Sequence, residues 1–110
     1  MKVVVELTPI PATDAGSRLH HTEVRNMPRY LVETYVSRTH AHDAHAAGQR
    51  ARAAARQLSR AGEPVRYVRT TLLPGDETCF HVFDAVSEDA VAEACRLAYL
   101  GTPRIVRAVE

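Results

Sequence analysis

The chain has 110 residues, enough for one domain, of which 45% are hydrophobic and 25% charged, the balance of an ordinary globular protein. Its net charge of +1 offers no electrostatic footprint for nucleic acid or an anionic membrane surface, and no apolar run approaches the ~20 residues of a spanning helix. Much of the apolar share is alanine, with only four tyrosines and two phenylalanines; such a core buries little area per residue, and a homodimer is the expected remedy.

The first 26 residues read differently from the rest. "MKVVVEL" predicts a short strand, "TPIPATDAGS" is turn or linker chemistry, and "RLHHTEVRN" is polar without clear period. Residues 1–26 are therefore expected to form an N-terminal arm or extra strand ahead of a domain spanning 27–110. "VVV" is too short an apolar run for a signal peptide, which predicts a cytoplasmic protein with Cys79 and Cys95 reduced.

From Met27 the pattern is regular. Tyr30 to Val36 alternates as a strand. Ala44 to Ala61 is an alanine-rich helix stopped by Gly62 and Pro64. Val65 to Leu73 and Thr78 to Asp84 are strands joined by the turn "PGDE". Ser87 is a good N-cap, with Glu88 and Asp89 placed where the helix dipole favours acids, and that helix is expected to end at Gly101. "RIVRAV" is the last strand. The order β-α-β-β-α-β predicts an α+β, ferredoxin-like fold with a four-stranded antiparallel sheet and two helices on one face.

"RTHAHDAHAAG", Arg38 to Gly48, concentrates three histidines and an aspartate. At 100° per residue Ala44, Ala47, Ala51, Ala54, Ala55 and Leu58 form the buried stripe. His42, His45 and Gln49 face outward beside the row Arg52, Arg56 and Arg60, while His40 turns toward the core side. Only His42 and His45 are neighbours. The segment is either an exposed helix start or a partial metal site, and the positive helix N-terminus is a possible place for an anion.

In the first strand Tyr30, Val32, Thr34 and Val36 belong under the helices, leaving Leu31, Glu33 and Tyr35 on the other face. In the third, Phe80 and Val82 are placed in the core, leaving Cys79, His81 and Phe83 on the helix-free face. Glu33, Tyr35, Cys79 and His81 would then line a cavity between two sheets packed face to face. Such a set could ligate a borderline metal or transfer protons; equally, Glu33 and His81 could satisfy one another across a dimer interface. Cys95 shares a helical face with Val91, Ala94 and Ala98 and reads as core. There is no Gly-rich phosphate loop, no CxxC pair and no nucleophile elbow.

"MPRYLVE", "VRYVRTTLLPGDETCFHVFDAVSEDAVAEA" and "GTPRIVRAV" resemble the nickel-binding-like small bacterial domains of unknown function, over Met27 to Glu110. His81 falls where that family usually has a cysteine, Asp84 replaces its glutamate, and Glu33 keeps its "VE". The resemblance implies a ferredoxin-like homodimer of the α/β-barrel type that binds a divalent transition metal, nickel being the precedent. The resemblance does not name the ligands; the residues themselves offer His81 and Glu33, or His40, His42 and His45, within one chain or between subunits. The alternatives are an enzyme acting on a small organic molecule in the inter-sheet cavity, with Glu33 or His81 as base and Tyr35 or Tyr67 orienting the substrate, and a dimeric module without chemistry.

Overall fold

The computed structural model describes residues 3–7 and 27–109. The expected linker, the polar stretch after it and the His20-His21 pair lie outside the described residues. The elements are β1 (Val5–Leu7), β2 (Arg29–Tyr35), α1 (Asp43–Arg60), β3 (Val65–Leu73), β4 (Thr78–Ala85), α2 (Glu88–Leu97) and β5 (Arg104–Ala108). The strands form one antiparallel sheet in the order β1-β3-β4-β2-β5. The sheet therefore has five strands rather than the four expected. The extra one is "VEL", which pairs with the outer edge of β3 through Val5↔Leu72 and Leu7↔Thr70.

Alanine sets the spacing of the layers. α1 buries Ala44, Gly48, Ala51, Ala54, Ala55 and Leu58, and α2 buries Ala90, Val91, Ala94 and Cys95. Side chains this small let both helices come close to one face of the sheet. Tyr30, Val32, Val65 and Phe83 meet them there. Phe83 and Val91, both at 0% exposure, each contribute about 1.5–3 kcal/mol by leaving water. A second cluster of Ala44, Leu72 and Cys79, with Val36 and Val5 against it, fills the end of the sheet nearest β1.

The two helix starts are built differently. Ser87 caps α2 as its spacing predicts, its Oγ accepting the Ala90 N–H at 3.2 Å. α1 instead follows a 3-10 turn over Arg38–His40 whose cap is Ser37, and His42 occupies the α1 N-cap without a side-chain bond.

The face assignment of β4 is reversed. Antiparallel partners share a face, and the register pairs Tyr30 with Phe83, Val32 with His81 and Thr34 with Cys79. Cys79, His81 and Phe83 therefore lie under the helices with Tyr30 and Val32. Phe80 and Val82 lie on the open face, opposite Glu33 and Leu31.

Candidate functional site

His81 sits in the middle of β4, 1% exposed, and needs polar partners inside the core. Its Nδ1 lies 2.7 Å from Thr70 Oγ1 on β3, and that oxygen lies 2.5 Å from the Tyr67 hydroxyl. Nε2 faces Cys79 Sγ at 3.8 Å. Tyr67 and Thr70 are three residues apart, so a regular strand would put them on opposite faces. A β-bulge between Tyr67 and Arg69 changes this: the extra residue, Val68, returns Thr70 to the same face as Tyr67. Gly48 of α1 completes the arrangement. A Cβ there would lie 2.7 Å from Thr70 Oγ1 and 3.0 Å from the Tyr67 hydroxyl, so the helix passes over these two oxygens only because residue 48 has no side chain.

We assign the direction of the chain as Tyr67 donating to Thr70 and Thr70 donating to Nδ1. The phenol is the more acidic hydroxyl and the better donor. This direction places the imidazole proton on Nε2. Burial, and then the charge of Arg50, lower the His81 pKa to about 4, so the ring is neutral at pH 7.

His81 lines a cleft of about 320 Å³ between the last residues of β2, the start of α1 and the end of α2. This is the lower range of small-ligand sites. Thr34 and Val36 line it from the sheet side, His40, Asp43, Ala47 and Arg50 from the α1 side, and Tyr99 and Leu100 from α2. Arg50 is exposed and anchored at one point, its Nε donating to the Ala98 carbonyl at 2.9 Å. That carbonyl belongs to the C-cap of α2. The helix is closed there by a Schellman turn in which Tyr99 N–H reaches Arg96 O at 3.2 Å and Leu100 N–H reaches Cys95 O at 3.0 Å. The left-handed residue of this turn is Tyr99, at φ 57, where glycine is the ordinary choice. The expected stop, Gly101, comes two residues later, with φ 74.

The residues singled out from the sequence are dispersed. Glu33 is on the open face, 3.7 Å from Arg104, and the sheet separates it from His81. The expected Glu33/His81 pair does not form. Tyr35 is exposed at the cleft rim, donating to the Glu77 carboxylate at 3.2 Å. His40 lines the cleft and is exposed, with Nδ1 3.1 Å from Thr39 Oγ1. His42 points outward as expected and contacts Asp43 (Nε2 to Oδ1 3.2 Å). His45 also points outward but meets Gln49 (3.2 Å) rather than His42. Tyr67 belongs to the His81 chain.

Among the described residues no three His, Cys, Asp or Glu side chains converge to hold a metal ion. The donor chemistry agrees. Burial raises the thiols of Cys79 and Cys95 to about 11, whereas a metal binds the thiolate. Among the described residues, then, these side chains are not gathered into a nickel centre. The site residues missed from the sequence are Thr70, Arg50, Tyr99 and Gly48. Of these only Gly48, a glycine inside a strong helix pattern, carried a signal.

Comparison with protein-family models, with curated proteins and with solved structures found no match for this chain.

Proposed function

We propose that this chain is a small-molecule-binding domain whose ligand is an organic anion held in the cleft over His81. One observation carries this: a fully buried, neutral imidazole lines a 320 Å³ cleft whose wall also holds an anchored guanidinium. Arg50 supplies the charge. His81 lines the same cleft as a neutral imidazole, because a second positive charge beside Arg50 is disfavoured. Acid–base chemistry on a bound substrate is the alternative use of this cleft, which lies between helices and sheet rather than between two sheets.

The strand order β3-β4-β2-β5, with α1 after β2 and α2 after β4, supports a ferredoxin-like reading of the fold, β1 being an addition at the edge. Homodimerisation through the open face is supported by its composition. Leu31, Phe80, Val82 and Val106 lie there among the ion pairs Glu33–Arg104, Glu6–Arg69 and Arg29–Asp84, so the face is apolar along its middle and carries both signs of charge.

A second reading, the divalent metal implied by the family resemblance, is favoured by the closeness of His42 to Asp43 and by His40 and His42 ring centroids 6.4 Å apart. These would supply part of a coordination shell, which a second copy would complete.

The test is a titration of the full chain with small carboxylates, followed through backbone amide shifts. Saturable shifts at residues 34–37, 81 and 99, weakened at least about tenfold by Arg50→Gln, support the anion site; the factor corresponds to one charge-assisted bond. Absence of saturable shifts at those residues removes it.

A further inference from the structure

Two tyrosines stand out as exposed aromatics, Tyr35 at 74% and Tyr99 at 82%, and both line the cleft. Tyr99 is the informative one. It occupies the left-handed position of the turn closing α2, where glycine fits without strain and a bulky side chain does not. Its ring gains little from the core, being largely in water. Its backbone is nevertheless well fixed by the two Schellman bonds and by Arg50, which donates to the carbonyl of the preceding residue. Arg50 is thus tied to the residue before Tyr99, and both residues line the cleft. A left-handed, exposed aromatic residue lining the same cleft as a cation is a candidate contact for a bound ligand.

We propose that the ligand is a planar, conjugated carboxylate, stacked on the Tyr99 ring with its anionic end on Arg50. This rests on the anion reading of the cleft and adds the ligand's shape. Stacking requires a flat π-face, whereas Arg50 alone accepts any carboxylate. The ring is exposed in the free protein because its partner face belongs to the ligand.

The experiment compares benzoate with cyclohexanecarboxylate, equal in charge and close in size, by amide-shift titration of the full chain. Benzoate is expected to bind about fivefold more tightly, the size of a stacking contribution. Tyr99→Gly is expected to abolish that preference while raising the thermal midpoint, and Tyr99→Phe to retain it. A role confined to the fold would make Tyr99→Gly neutral toward the benzoate preference. Equal affinities in the unaltered protein, or a preference surviving Tyr99→Gly, overturn the planar-ligand proposal and leave the anion site standing. Failure of both carboxylates to bind overturns the anion site itself.

Discussion

Gly48→Ala sets helix propensity directly against packing. In an exposed helix interior this substitution stabilises by about 1 kcal/mol. Here the new methyl would lie 2.7 Å from Thr70 Oγ1 and 3.0 Å from the Tyr67 hydroxyl. Thr70 cannot retreat easily. It is 0% exposed in a paired strand, its branched side chain is stiff at χ1, and its oxygen is bonded to Tyr67 at 2.5 Å and to His81 at 2.7 Å. Overpacking costs about 1–3 kcal/mol, and a lost bond leaves a buried polar group unsatisfied for about 1–3 kcal/mol more. The net expectation is a loss of about 2 kcal/mol, a fall of roughly 10 °C in thermal midpoint for a domain of this size. Thermal unfolding followed by circular dichroism measures it, with Gly75→Ala as the control, since a Cβ there meets nothing within 4 Å. In a Thr70→Ala background Gly48→Ala should lose most of its penalty, which a double-mutant cycle reads as coupling. A midpoint unchanged or raised by Gly48→Ala in the unaltered protein would refute the tight contact.

The folded chain should lose stability on acidification between about pH 6.5 and 4. Folding lowers the His81 pKa from 6.5 to about 4, so the unfolded chain binds more protons in that window, and the full loss is about 3 kcal/mol. Denaturant titrations at several pH values should show this slope, and His81→Gln should flatten it. Thr70→Val leaves His81 Nδ1 and the Tyr67 hydroxyl without their bridge and should cost about 1–3 kcal/mol in the same assay; a neutral result would contradict the hydroxyl chain. Ser87→Ala removes the α2 cap and should cost about 1 kcal/mol. Ni²⁺ titration in metal-free buffer should give the same result for the unaltered chain and His81→Gln, because Thr70 already holds Nδ1; loss of Ni²⁺ binding in the variant would instead identify His81 as a ligand.

The elements were legible in the sequence wherever periodicity and punctuation agreed. Val65–Leu73 has the expected bounds, the Ser87 cap is where its spacing puts it, and the alanine stripe of α1 is buried apart from Ala47, which lines the cleft, while Gly48 joins it. The face of β4 was not legible. A histidine flanked by Phe80 and Val82 looks polar, yet Thr70 satisfies it and Phe83 shares its side. Only the pairing of Val32 with His81 decides the matter, and register depends on contacts far apart in sequence. The bulge at Val68 was hidden for the same reason, and with it the Tyr67–Thr70–His81 chain. "RTHAHDAHAAG" attracts attention by composition, but the buried imidazole forty residues on has the more constrained surroundings. Tyr99 shows another limit: a glycine two residues later offered an adequate stop, and nothing local marks the tyrosine as left-handed.

The most direct measurement is nuclear magnetic resonance of the imidazole nitrogens during addition of benzoate at pH 7. A neutral His81 with its proton on Nε2 is expected in the free protein, and the Nε2 resonance should move saturably with the same affinity as the Tyr99 amide while His45 stays still. A His81 ring already protonated at pH 7, or one unmoved while benzoate saturates the protein, would contradict a ligand site built over that residue.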